Sequence, residues 1–377
     1  MARRVVRRLG CANGYSAVVN HQGGTQRLMT LTGVTGLDWE RNLNDFGEAH
    51  VELSKSGTSR DCFRKIGQVE PWAHEVELYR DGERLWSGPV FDVQEERTTI
   101  TLTARDMLAW FSRRRIPFDT DGTPMAATRW VEELVRASFA EHDPNLLPFL
   151  RVDRISPDQP QFQRWTQGRT ASVFTEVTEA AKAGLDFFAI GRHVFVMLDR
   201  MAAGTAPYRL RESDFLGDFR VRKVGSETAT RATVVGADHP DGLAAVGEWG
   251  GPQPGYGVVD DISTAQGTTD YNALSGMARR VVGYGHPAPI VVSLPSGSQL
   301  SPNAAVSVHD LIPGRYLATT IAGYATRVHT VMKLNQVSGK WSPGAAEQIA
   351  VAVIPQDTYT VAAGPEPVPV GAKGEHR

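Results

Sequence analysis

From Glu75 to Trp110 short runs of alternating apolar and polar positions are broken by turn residues. Val76 and Leu78 precede Asp81-Gly82 and Leu85 follows it. An Asp-Gly pair with both residues at φ > 0 matches the right-handed twist of two antiparallel strands. The spacing predicts a hairpin with a two-residue turn, in which Arg80 faces Glu83, Leu78 faces Leu85, and Trp86 shares the other face with Tyr79 and Glu77. After Ser87-Gly88-Pro89 the chain resumes as Val90 to Val93, passes the polar Gln94-Glu95-Glu96-Arg97, and returns through Ile100, Leu102 and Ala104 with period two. Asp106 to Trp110 starts a helical turn. A meander of antiparallel strands results.

The same texture precedes it. Ser16 to Val19 and Arg27 to Leu31 flank Gly23-Gly24 as a second hairpin, and Val34 to Trp39 leads through the polar Arg41 to Gly47 into His50 to Leu53. Residues 1–116 read as one β-domain. After Pro117 the period changes. Thr123-Pro124 serves as N-cap and first residue of a helix that carries Trp130, Val131, Leu134 and Val135 on one face to about Ala140, where Asp143-Pro144 stops it. A second helix from near Thr170 buries Val173, Val177 and Ala180 and is capped by Gly184. Leu185 to Ile190 and His193 to Leu198 then form a hairpin around Gly191-Arg192, completing an α+β unit over 117–204.

From Tyr208 the chain is strand-like again. Phe219 to Val224 and Ala229 to Val235 bracket Gly225-Ser226-Glu227 as an alternating pair, followed by a long Gly- and Pro-rich loop from Asp238 to Gly257. Asp270 caps a helix from Tyr271 to Val282 with Leu274, Met277, Ala278 and Val281 on its apolar face, and Gly283 ends it. Strands follow at Ile290 to Leu294, Ala305 to Val308, Tyr316 to Ile321, Ala325 to Leu334 and Glu347 to Ile354. This third segment spans 205–355, with the loop and helix of 237–287 as an insertion. Beyond it, 356–377 is too rich in Pro, Gly and Ala to pack a core and reads as an extended tail. The fold class is α+β, mainly β.

Several short motifs in this order resemble one family. Tyr79-Arg80-Asp81-Gly82, then Leu85-Trp86-Ser87-Gly88-Pro89-Val90, then Ala104-Arg105-Asp106 and the basic stop Arg113-Arg114-Arg115 look like minor tail proteins of long-tailed phages of actinobacteria, in particular the baseplate hub, or tail-associated, family. The aromatic Trp39 ahead of a polar loop, the strand Thr230 to Gly236 and the step His309-Asp310-Leu311-Ile312-Pro313-Gly314 resemble the same family. The resemblance implies two similar β-barrel-like domains with the α+β domain between them. It implies a homotrimer whose ring continues the tail tube, contacts with the distal tail protein, the tape measure protein and receptor-binding proteins, and passing contact with exiting DNA in the lumen. The protein is then a virion component made in the host cytoplasm. A distal tail protein would instead form a hexamer, and a cell-wall hydrolase or carbohydrate-binding role is the other alternative. With the chain ending at Arg377 soon after the second barrel, no separate hydrolase domain is expected.

Composition is compatible with this reading. With 377 residues the chain holds two to four domains at about 100–200 residues each, and a net charge of −2 lacks the basic balance of a nucleic-acid-binding protein. No apolar run approaches the ~20 residues of a membrane span, and the basic start Arg3 to Arg8 lacks the apolar core of a signal peptide. Cys11 and Cys62 read as buried free thiols.

Catalytic signatures are missing. Gly283-Tyr284-Gly285-His286-Pro287-Ala288 fits G-x-G-x-x-A but follows a helix rather than a strand. The histidines, among them His239, His309 and His329, lack metal-ligand spacing, and Asp238-His239-Pro240-Asp241-Gly242 lacks the ligands of a calcium loop. Glu95-Glu96 and Asp260-Asp261 are adjacent acids on strand-like runs, where neighbours point to opposite faces. Arg113 to Arg115 has no interleaved aromatic platform for nucleic acid. Trp72, Trp86, Trp110, Trp130 and Trp165 stand in core patterns rather than a sugar platform. No catalytic, cofactor-binding or metal residue and no cofactor is therefore assigned, and the chain is not expected to be an enzyme.

Overall fold

The computed structural model describes residues 8–24, 26–140, 149–152, 161–162, 165–182, 184–198, 207–238, 242–265, 269–325 and 327–360. Two compact units divide it: one of Met1–Asp218, Leu294–Ile321 and Val331–Gln356, the other built of Phe219–Ser293 and Ala322–Thr330. Strands predominate over helices.

The first unit is organised by a twelve-stranded sheet. Its N-terminal strands are β1 (Tyr15–His21), β2 (Arg27–Thr30), β3 (Val34–Asn42), β4 (Glu48–Ser54), β5 (His74–Arg80), β6 (Glu83–Glu95) and β7 (Thr99–Arg105). They lie side by side as β3, β4, β7, β6, β5, β1, β2, and β3 continues the sheet into Val328–Trp341, Tyr316–Ile321 and Tyr208–Arg209. Gln348–Thr360 also pairs with Val328–Trp341 and with Ser298–Gln299. Alternation decides which face is buried: Ile100, Leu102 and Ala104 point inward from β7, as do Ala49, Val51 and Leu53 from β4 and Leu37 and Trp39 from β3.

The Asp81-Gly82 turn has φ of 52° and 84°, the conformation expected of an Asp-Gly hairpin, and Arg80 faces Glu83. Across the next step the register slips. Leu78 faces Trp86, not Leu85, because an extra residue enters β6 as a bulge and both Leu85 and Trp86 are buried. Alternation alone does not reveal a bulge. The expected break at Ser87-Gly88-Pro89 is absent as well, for β6 runs unbroken through it. There Gly88 crosses β7 so closely that a Cβ would lie 1.7 Å from the Arg105 carbonyl oxygen.

Helix α1 (Arg60–Ile66), unforeseen in the sequence, is capped by Ser59, whose hydroxyl accepts from the Cys62 N–H. It buries only Cys62 and Ile66, too few positions to show a period. Cys62 is buried as expected. Cys11 is exposed, and both thiols are free.

The middle of the chain forms its own core. Helices α2 (Leu108–Arg113), α3 (Ala127–Ala140) and α4 (Val173–Lys182) pack with Leu185–Ile190 and His193–Leu198 around Phe111, Trp130, Leu134, Val177 and Phe187. The hairpin at Gly191 has the expected register, with Ile190 opposite His193. Phe149–Val152 adds a parallel third strand. Helix α3 begins later than Thr123-Pro124 because Met125–Ala126 pairs with Gln161–Phe162. The stop at Asp143-Pro144 lies outside the described residues.

In the second unit, Arg231–Asp238 lies between Ala244–Gly250, antiparallel to it, and Asp260–Thr264, parallel to it. Helix α5 (Tyr271–Gly285) crosses Ala232, Val234 and Ala245 with Leu274 and Ala278, and Asp270 caps it by accepting from the Asn272 N–H. The helix continues two residues past Gly283. Two further expectations change here. Arg220–Lys223 pairs with Ile290–Ser293 rather than with the strand after Gly225-Ser226-Glu227, which form a 3-10 turn. The stretch expected as a long loop contains Ala244–Gly250. Alternation fixes a strand's faces but not its partner.

In the first unit, the stretch expected as a strand from Ala305 to Val308 buries Val306 and Val308 but is not a strand, because the Ser307 carbonyl and hydroxyl take the N–H groups of Asp310 and His309 in a turn. The last strand runs beyond Pro355 to Thr360, so the first residues of the tail expected from 356 are strand instead, and 361–377 lie outside the described residues. Two separate closed barrels are not seen among the described residues. Strands from both ends of the chain share one sheet whose ladder does not close on itself.

Two glycines separate conformational strain from contact. Gly82→Ala meets no atom within 4 Å but holds φ at +84°, so it costs about 1 kcal/mol. Gly88→Ala drives a methyl into the β7 backbone and costs at least ~3 kcal/mol. Urea denaturation midpoints of both variants test this, and a Gly88→Ala midpoint no lower than that of Gly82→Ala contradicts the crossing.

Candidate functional site

The residues singled out in the sequence do not converge. His309 lies 3.2 Å from Glu83, and burial lowers its pKa. Asp238 ends its strand, while His239 and Asp241 lie outside the described residues. Glu95 pairs with Lys55 at 2.6 Å, and Asp260 receives Arg231 through two bonds of 2.5 and 2.9 Å. Gly283 and Gly285 belong to α5, with the strand Ile290–Ser293 after it, the reverse of a dinucleotide fold. Among the described residues no three His, Cys, Asp or Glu gather as metal ligands.

Two members of the basic run at 113–115 lie over aromatic rings, while Arg113 and Arg115 remain exposed. Arg113 lies over Trp72 at 5.3 Å, and Arg114 over Trp110 at 5.5 Å and Phe139 at 5.3 Å. The i,i+4 spacing of Trp110 and Arg114 at the end of α2 is the signal that identifies this use. Trp86, Trp110 and Trp130 are buried, Trp72 is half-buried with its ring 4.8 Å from that of Trp110, and the Trp165 side chain lies outside the described residues. They make no open sugar platform.

The most highly built polar site is structural, and sequence reasoning missed it. The Glu347 carboxylate, 1% exposed, accepts from the Ala12 N–H at 3.0 Å, from the Tyr15 hydroxyl, and from Arg80 Nε and Nη2 at 2.9 and 2.7 Å. Trp39 Nε1 donates to the Tyr15 oxygen at 3.4 Å, and the Tyr15 ring packs 5.5 Å from Trp341. Burial and the neighbouring carboxylate push the Tyr15 pKa up, so the phenol remains a donor. This group ties the start of β1 and the end of β5 to the turn before the last strand. Its members lie hundreds of residues apart, which no local motif reports.

Further charged side chains of the first unit are buried, among them Arg41, Lys333, Asp186 and Asp106. Arg41 is fully enclosed. It donates to the carbonyls of Leu85 at 2.5 Å and Leu311 at 3.4 Å and lies over Trp39, and burial lowers its pKa to about 10. Lys333 meets Asp186 at 2.6 Å, both nearly inaccessible. Asp106 accepts from the N–H groups of Gly47 at 2.8 Å and Leu108 at 2.9 Å, yet burial pushes its carboxyl up to about 7.

A cleft of about 410 Å³ opens along β3 and β4, lined by Asp38, Glu40, Glu48, His50, Gln299 and Lys340 among others. Its acids are each committed: Asp38 to His50 at 2.8 Å, Glu48 to Arg105 at 2.6 Å, Glu40 to Gln336 and Asn42 at 2.8 and 2.9 Å. With His50 held by a carboxylate and not by a hydroxyl, the cleft has no nucleophile and base in contact. Large exposed apolar side chains concentrate in the second unit, including Leu243, Trp249, Ile262, Tyr271 and Tyr284.

No family model matches the chain, and no curated protein matches it. Among solved structures it is similar to a tail protein from Neisseria meningitidis MC58, with 13% identity and a TM-score of 0.53 over 91% of this chain and 97% of that one. The 43 kDa tail protein of prophage MuSo2 from Shewanella oneidensis matches at 12% identity and 0.53, over 90% and 98%. Prophage tail protein gp18 from Listeria monocytogenes EGD-e matches at 12% and 0.50, over 89% and 94%. The chain shares its fold with these tail proteins over nearly its whole length.

Removing a buried carboxylate that anchors a cation is costly, whereas an exposed pair contributes little. Glu347→Ala therefore lowers stability by about 3–5 kcal/mol, and Lys55→Ala, which breaks the outer pair with Glu95, by less than about 1 kcal/mol. Chemical denaturation of the two variants decides the point, and equal losses would refute the special role of Glu347. Asp106 binds its proton more tightly in the folded than in the unfolded chain. Its contribution to stability is thus present below the ordinary carboxylate pKa and lost as pH rises through about 7. In Asp106→Asn the fall of the melting temperature between pH 4 and 7 becomes shallower than in the parent, while an identical slope means the carboxyl ionises normally.

Proposed function

We propose that this protein is a structural component of the tail tip of a long-tailed phage, the baseplate hub. The likeness to tail proteins over nearly the full length of both chains carries this reading. It is supported by the committed state of every acid in the β3–β4 cleft, which suits a scaffold and not an enzyme. In this reading three copies close into a ring by heterologous contacts between successive subunits. The two ends of the large sheet serve as the pair of barrel-like domains of that ring, which continues the tail tube. The distal tail protein lies above, the tape measure protein within, receptor-binding proteins outside, and exiting DNA passes through the lumen. The protein is made in the host cytoplasm and resides in the virion.

Cryo-electron microscopy of intact tail tips tests the proposal through copy number and symmetry. Three copies around the tube axis are expected. Six would assign the chain to a distal tail ring, and its absence from the particle would overturn a tail role altogether.

A further inference from the structure

The three-stranded sheet of the second unit has an open edge. Its strand Asp260–Thr264 pairs only with Arg231–Asp238 among the described residues. The direction of its free groups follows from two bonds: Arg231 N–H donates to the Val259 carbonyl at 3.1 Å, and Ala265 N–H donates to the Val235 carbonyl at 2.7 Å. In a parallel ladder this commits the odd-numbered residues to the inner strand. The N–H and C=O groups of Asp260, Ile262 and Thr264 therefore point away from the sheet.

The side chains of these residues share the face opposite α5. Register places Ile262 beside Thr233 and Glu248, and Thr264 beside Val235 and Val246, whereas Ala232 and Val234 point to the helix. Ile262 is 73% exposed at the centre of this edge. Edge strands are ordinarily protected by lysine, proline or a bulge, and residues 258–265, Val-Val-Asp-Asp-Ile-Ser-Thr-Ala, contain neither lysine nor proline.

We infer that this edge pairs antiparallel with the same strand of a second copy of the chain, about a two-fold axis at Ile262. The strand is complementary to itself in that register. Ile262 faces Ile262, Asp260 faces Thr264, and Asp261 faces Ser263, so each acid meets a hydroxyl and no like charges stand opposite. Pairing at Ile262 uses the N–H and C=O groups that already point outward. Asp260 brings its Arg231 partner with it. The contact joins chains in twos and does not rest on the head-to-tail ring proposed above.

Sedimentation velocity of the full chain over a concentration series, with variants at the axis, tests the inference. Ile262→Pro leaves the inner ladder intact because the lost N–H faces outward, and Ile262→Lys sets two like charges together; each weakens association by at least about tenfold. In a Cys11→Ser background, Ile262→Cys yields a covalent pair of chains under mild oxidation, since directly opposed residues lie within disulfide reach. Thr233→Cys, one strand further in, yields none. A parent chain that never pairs, variants that associate like the parent, or an Ile262→Cys protein that stays single or crosslinks no better than Thr233→Cys would each overturn it.

Discussion

Much of the first unit depends on one carboxylate. A sheet of twelve twisted strands cannot stay flat, since each strand is rotated roughly 20–25° from the last, and sheets beyond about ten strands curl or split. Here the curl brings the beginning of β1 and the end of β5 to the turn before the last strand, where Glu347 holds them. Backbone bonds from Leu9 to Ala304 and from Gly10 to Pro302 add to the same seam. The hydrogen-bonded ladder is open, and side chains supply the closure. A seam of this kind tolerates sequence change elsewhere but leaves little freedom at Tyr15, Arg80 and Glu347 together.

The parts of the fold legible in the sequence were those written in local chemistry. Asp81-Gly82 specified its turn, Gly191 its hairpin, Asp270 its helix start, and the period-two run through Ile100, Leu102 and Ala104 its buried face. What escaped was non-local or too short to have a period. The bulge opposite Leu78, the partner of Arg220–Lys223 and the seven-residue helix α1 belong to these classes. The short motifs behind the family resemblance acquire a physical meaning in the structure. Ser87-Gly88-Pro89 and Ala104-Arg105-Asp106 touch, because Gly88 admits the Arg105 carbonyl and Asp106 gathers the backbone of Gly47 and Leu108. Their order along the chain reflects one packed junction. The Glu347 site stayed hidden because its members are a single Glu, Arg and Tyr that are ordinary in isolation.

Buried charges in the first unit meet backbone or an opposite charge: Arg41 two carbonyls, Lys333 the carboxylate of Asp186, Asp106 two N–H groups. Enzymes keep some titratable group poised in a cleft for use. In the cleft along β3 and β4 the acids are engaged by neighbours, and the exposed apolar side chains cluster in the second unit.

The pairing of β3 with Val328–Trp341 also sets a clock. Asn42 is made early and its partner Gln336 nearly three hundred residues later. At about 5–20 residues per second of synthesis, β3 waits on the order of 15–60 s for the strand that covers it. During that time a long strand ending in an enclosed arginine has no neighbour on one side. The nascent chain therefore carries its largest sheet unfinished for most of its synthesis, and the speed at which the residues between Asn42 and Gln336 are translated governs how long that edge is open to a wrong partner.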